Sequence, residues 1–189
     1  LILYKMKIGI FNYMRRELPK IEKTVRDMGF DVEMYDYKEN HYEIMKRSTI
    51  KRWIFTGSPM DVNKHDAPQL DTRIIRMEGK RVFLICYSME SILAQLGCKL
   101  VKRERNRKKI FFMDILYNNY LTTGLSSPIR AWRNHETYIP VNSLTPSVKL
   151  QMQFEGEVMT CFYKNSTMTQ WHPEHSDDGN IFMMNWLNR

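Results

Sequence analysis

An unbroken apolar run, Val82-Phe83-Leu84-Ile85, ends abruptly on Cys86 and gives way to a helical pattern over residues 89–96 that Gly97 stops. A strand with no polar alternation is buried on both faces, the environment of a parallel sheet covered by helices. A strand turning directly into a helix is half of a βαβ unit. This junction constrains the fold class more than any other feature of the chain.

The same grammar precedes it. Lys7-Ile8-Gly9-Ile10-Phe11-Asn12 reads as a buried strand. Residues 17–28 place Leu18, Ile21, Val25 and Met28 at a period near 3.6 before Gly29, an amphipathic helix with a glycine stop. Residues 31–37 read as a second strand, 40–47 as a short helix, and 52–56 as a third strand closing on Gly57-Ser58-Pro59. Residues 68–77 read as a helix with Pro near its first turn. After Cys98 the texture changes: short segments at 110–115, 117–122 and 158–163 read as antiparallel hairpins or edge strands. The chain closes on a helix over 180–187. The expectation is therefore an α/β fold: an open, mostly parallel twisted sheet with helices on both faces and a smaller antiparallel hairpin region. Residues 1–189 are read as one domain.

Composition narrows the function classes. No run of about eighteen apolar residues exists, so no helical membrane span is expected. Residues 1–5 are too short an apolar stretch for a signal peptide, and Met6 just before the first strand suggests a trimmed or extended start. Cys86, Cys98 and Cys161 form no Cys/His pattern with metal-ligand spacing, so neither metal nor cofactor is expected, and a reducing, cytoplasmic compartment is. The formal charge of +8 is densest between Lys102 and Lys109. No aromatics interleave that run, so it reads as a solvated turn or a docking face for an acidic partner rather than a nucleic-acid groove.

Two positions carry chemistry. Cys86 sits at the carboxyl end of a strand and at a helix N-terminus, where open sheets place reactive groups and where thiolate is favoured. Alone, it reads more readily as a small buried hydrophobe. In His172-Pro173-Glu174, Pro173 keeps His172 out of the helical region, and a carboxylate two residues on can orient the ring of a general base. His175 is a competing base whose side chain should point the other way. His135 reads as structural or as a pocket wall, and Trp132 and Trp171 as flanking the site.

Taken together, these segments resemble the class I glutamine amidotransferase family over nearly the whole chain. Thr56-Gly57-Ser58-Pro59 resembles the family's oxyanion loop, and Leu84-Ile85-Cys86-Tyr87-Ser88-Met89-Glu90 its nucleophile turn. Leu96-Gly97-Cys98-Lys99-Leu100 is similar to the segment that follows, Gln170-Trp171-His172-Pro173-Glu174 to its terminal signature, and Asn185-Trp186-Leu187 to its closing helix. The resemblance implies a flavodoxin-like sheet and a Cys86-His172-Glu174 triad. Oxyanion and substrate contacts would come from Gly57, Ser58, Tyr87 and Glu90. It implies glutamine, or a γ-glutamyl compound, as substrate, with ammonia passing through a thioester mechanism to a partner synthase.

The turn departs from the family at three places: Leu84 and Ser88 stand where it has glycines, and Glu90 where it has a substrate-binding glutamine. Those departures leave two alternatives beside a working glutaminase. One is a weak or inactive binding or regulatory module; the other is γ-glutamyl hydrolase chemistry.

Overall fold

The computed structural model describes residues 5–14, 20–103 and 109–189. Residues 17–19 of the expected first helix, 104–108 of the basic run and 1–4 of the start lie outside the described residues. In chain order the elements are β1 (Lys7–Asn12), α1 (Lys20–Asp27), β2 (Asp31–Asp36), α2 (His41–Arg47), β3 (Arg52–Phe55), β4 (Arg81–Ile85) and α3 (Tyr87–Gln95). Then come β5 (Val101–Lys102), β6 (Lys109–Ile115), β7 (Ile129–Arg133), β8 (Thr137–Tyr138), β9 (Lys149–Phe154), β10 (Glu157–Tyr163), β11 (Ser166–Thr169) and α4 (Asp177–Leu187).

One nine-stranded sheet runs in the order β2-β1-β3-β4-β11-β10-β9-β6-β7. The first five strands are mutually parallel, and each later neighbour pairs antiparallel. The expected antiparallel region is thus a continuation of the main sheet; only β5 and β8 form a separate ribbon. Strand residues alternate between two cores. Val82 and Leu84 of β4 face the side covered by α2 and α3, where Met45, Met89 and Ile92 pack. Phe83 and Ile85 face Ile21 and Val25 of α1 and Phe182 and Trp186 of α4. Burying a side chain such as Phe83 is worth about 1.5–3 kcal/mol. That gain on both faces holds β4 at the centre of the molecule.

Helix α4 bears directly on the candidate site. Ser176 caps it, its hydroxyl accepting from Gly179 N–H at 3.1 Å, and Asp177 and Asp178 complement the positive end of the helix dipole. A Cβ at Gly179 would sit 2.1 Å from the Pro173 carbonyl oxygen. Only glycine lets α4 press against the His172-Pro173-Glu174 turn this closely.

Two local expectations are corrected. Residues 68–77 do not form an α-helix; the turn Thr72–Arg76 is a short 3₁₀ helix. The preceding stretch is held extended by α3: Tyr87 Oη donates to Pro68 O at 2.8 Å, Leu70 N–H to Ser91 Oγ at 3.1 Å, and Gln95 Nε2 to Leu70 O at 2.9 Å. Residues 117–122 are not a strand. Asn119 caps a 3₁₀ turn over Tyr120–Thr122, its side chain accepting from Leu121 N–H at 2.8 Å while its own N–H meets Thr122 Oγ1 at 3.0 Å. Such side chains divert backbone groups from a ladder. Strands β7, β9 and β11 go beyond what the local pattern predicts. Ser166–Thr169 is polar in sequence yet buried between β4 and β10.

Candidate active site

Cys86 closes β4 and caps α3 with φ 51° and ψ −109°, a left-handed conformation uncommon for a side chain. Its N–H donates to Thr169 O at 2.7 Å, and its carbonyl accepts from Glu90 N–H at 3.0 Å. Strand, helix and neighbouring strand together impose the strained turn that lifts the thiol out of the sheet. The departures around it fit this geometry. Leu84 lies flat in the core, in register with Phe55 and Met168, and obstructs nothing. Ser88 is fully buried and its hydroxyl donates to Thr56 O at 2.7 Å. That bond, worth about 1 kcal/mol, ties the turn to the loop carrying Gly57 and Ser58.

His172 begins a 3₁₀ turn over Pro173–His175, and its N–H donates to Trp132 O at 2.9 Å. Its Nδ1 lies 2.9 Å from Glu174 Oε1, which assigns the ring proton to Nδ1 and leaves Nε2 with a free lone pair. Nε2 is buried without a protein partner. Trp132 stands edge-on to the ring at 5.3 Å. Trp171, by contrast, is core, packing on Phe182 and donating to Thr160 Oγ1 at 3.0 Å.

Gly57 marks where the two groups meet. A Cβ there would lie 3.3 Å from Cys86 Cβ, 3.0 Å from His172 Cε1 and 3.8 Å from its Nε2. Gly57→Ala is expected to push the imidazole from the thiol and slow turnover about ten- to a hundredfold, with thermal stability little changed. Steady-state rates beside a melting curve would check it; an unaffected rate would contradict the placement.

Electrostatics favours a neutral thiol at rest. Burial pushes the Cys86 thiol well above its usual range, and the charges of Glu90, once ionised, and of Glu174 add to this; the Tyr87 N–H and Gln170 amide oppose it only partly. The thiolate preference expected at a helix N-terminus therefore loses to desolvation. Glu174 goes the other way: burial would raise it, but electrostatic attraction to the His172 ring and its hydrogen bond hold it below the ordinary carboxylate range. Glu90, wholly buried, is pushed up to about 8 by desolvation, with Asp61 adding to the rise and the Gln170 hydrogen bond opposing it. Gln170 Nε2 lies 2.8 Å from Glu90 Oε1 and 3.7 Å from Cys86 Sγ. A protonated Glu90 offers one accepting and one donating oxygen, a pattern like that of a glutamine amide but with one donor proton fewer.

A cavity of about 310 Å³ opens over these groups, lined by Cys86, Glu90, His172, Ser58, His135 and Glu136 among others. Tyr87 reaches the site only through its backbone, since its ring is core and its hydroxyl binds Pro68. His135 is both structural and a wall: its Nε2 lies 3.3 Å from Glu157 Oε2, and burial with nearby Arg103 and Arg133 depresses it to about 3. His175 turns toward Lys20, its Nδ1 3.4 Å from Lys20 Nζ. Among the described residues, donor atoms of His172, Glu174 and His175 come within 4.8 Å of one another, a spacing a metal ion could bridge. Two of those atoms are already joined by the 2.9 Å hydrogen bond. Sequence reasoning missed Gln170 as a contact of the thiol and Thr56 as the anchor of Ser88. Gln170 lay inside the quoted signature, but its partner Glu90 is 80 residues away.

The family model for glutamine amidotransferase class-I matches residues 18–181. A GMP synthase [glutamine-hydrolyzing] from Petrotoga mobilis is 28% identical over 96% of this chain and 35% of its own length. One from Clostridium botulinum is 28% identical over 88% of this chain and 33% of its own length. The chain thus spans about a third of the curated relatives it matches. A protein described as a GMP synthase subunit, from Thermoplasma acidophilum, superposes with a TM-score of 0.82 at 18% identity, covering 98% of this chain and 94% of its own. A glutamine amidotransferase from Thermotoga maritima does so with 0.70 at 13%, covering 98% and 82%. Those two likenesses establish the fold, an α/β sheet flanked by helices. With the family model matched over most of its length, the chain belongs to the class I glutamine amidotransferase family.

Proposed function

We propose that the protein hydrolyses the side-chain amide of glutamine through a thioester on Cys86. One observation carries the reading: a cysteine on a strained strand-to-helix turn shares a single cavity with a histidine already oriented by a carboxylate. The Cys86 thiol proton passes to His172 Nε2 as sulfur bonds to the amide carbon. The Tyr87 and Ser58 N–H groups stabilise the resulting oxyanion. Collapse breaks the C–N bond, and the proton on His172 goes to nitrogen, releasing ammonia. A water then loses its proton to His172, attacks the thioester and frees glutamate and the thiol. Glu174 keeps the ring in the required tautomer throughout.

The ammonia is passed to a synthase partner, a reading supported by the names of the relatives, whose remaining length lies beyond the matched region. Residues 1–189 serve as one amidotransferase domain, and three free buried cysteines suit the cytoplasm. Among the described residues no helix is long and apolar enough to cross a membrane. The test is glutamate and ammonia release from glutamine by the purified chain, alone and with an ammonia-dependent synthase. Folded protein that releases neither under both conditions would overturn the reading.

A further inference from the structure

A second cavity, of about 720 Å³, lies at the end of the sheet opposite Cys86. Arg81, which opens β4, and Ser166 and Thr167, which open β11, line it, with Arg189, Lys149 and Lys164 from other elements. No Asp or Glu is among its lining residues. Among the described residues, Arg52, Arg81, Lys149, Lys164 and Arg189 make no ion pair with a carboxylate.

Two of these cations converge on one ring. The Arg189 guanidinium stacks 4.1 Å from the centroid of Tyr120, and that of Arg81 lies 5.6 Å from the same ring. Arg81 Nη2 also donates to Tyr120 Oη at 2.7 Å, leaving the phenol proton free to donate elsewhere. Beside Arg81 in the sheet register stands Arg52, only 8% exposed, with its Nε buried and unpartnered. Two guanidiniums on one ring, with Arg52 beside Arg81 in the sheet though outside the cavity lining, and among the described residues no Asp or Glu paired to any of them, raise the local potential, a field that an anion relieves.

We propose that this pocket binds a phosphorylated planar ligand of the nucleotide class. Arg81, Arg189 and the free Tyr120 hydroxyl proton hold the phosphate, since guanidiniums pair with phosphate oxygens in fixed geometry. Tyr117, 42% exposed on the pocket wall, offers its face to the ring. The cavity exceeds what a bare phosphate fills and lies within the range of small-molecule sites. Aromatics are interleaved with cations here, as they are not in the basic run from Lys102 to Lys109.

The experiment is calorimetric titration of the whole chain with AMP, ATP, inorganic phosphate, adenosine and a single-stranded oligonucleotide. Saturable binding of AMP or ATP is expected, with phosphate and adenosine each at least tenfold weaker. Arg189→Gln, at an exposed position, and Arg81→Gln should each weaken nucleotide binding tenfold or more, while Cys86→Ser leaves it unchanged. That last variant separates this site from the glutaminase reading. Phosphate binding as tightly as nucleotide, indifference to Arg189→Gln, or no saturation at millimolar nucleotide would overturn the proposal. An oligonucleotide that binds more tightly than AMP, with a salt slope of several phosphates, would overturn it in favour of a strand-binding face.

Discussion

Replacing Cys86 by serine is expected to reduce ammonia release from glutamine by about a thousandfold or more, with the melting temperature nearly unchanged. The nucleophile and its base act as one unit, so removal of either costs nearly as much as removal of both. His172→Ala should therefore match Cys86→Ser, and the double variant should fall little further. The side chains meet at Gly57, and no other cysteine lines that cavity. Additive losses in the double variant would mean that His172 does not take the proton from Cys86.

The second large effect concerns Glu90→Gln and pH. Desolvation holds the Glu90 carboxyl neutral to about pH 8. Between its ordinary pKa and that value, the unfolded chain releases the proton while the folded chain keeps it. Stability contributed by this group is therefore lost as pH rises across that window, at roughly 1.4 kcal/mol per unit, on the order of several kcal/mol in all. Above about pH 8 the folded group ionises too, and a carboxylate then faces the cavity beside Cys86, where it pushes the thiol higher still. Wild type should lose both stability from mildly acidic to mildly alkaline pH and activity as pH passes through about 8. Glu90→Gln, which keeps the acceptor toward Gln170, should show neither trend. Denaturant melts and rate profiles at matched pH check both halves. A wild-type profile identical to that of the variant would show that Glu90 ionises normally.

The reach of the sequence differed between segments for physical reasons. The junction at Cys86 was legible because a doubly buried strand is a local pattern, and so is the helix that follows it. The turn after His172 was legible because Pro173 restricts its neighbours whatever the rest of the fold does. Strand β11 was not, since Ser166–Thr169 is buried by pairing with β4 and β10 rather than by its own hydrophobicity. Residues 68–77 carried a helical pattern that side chains of α3 overrode. The role of Ser88 needed Thr56, and that of Glu90 needed Gln170; both partners are distant in the chain. Leu84 stands where the family has a glycine, yet the strain of the turn does not fall there. It is borne by Cys86 itself, at φ 51°.

The central claim is that Cys86 is the nucleophile toward a glutamine side chain. An electrophilic glutamine analogue, followed by mass spectrometry of the digested protein, tests it most directly. The account predicts one adduct per chain, on Cys86, prevented by excess glutamine and strongly slowed in His172→Ala. Labelling of Cys98 or Cys161 instead, or no adduct on folded protein, would contradict it.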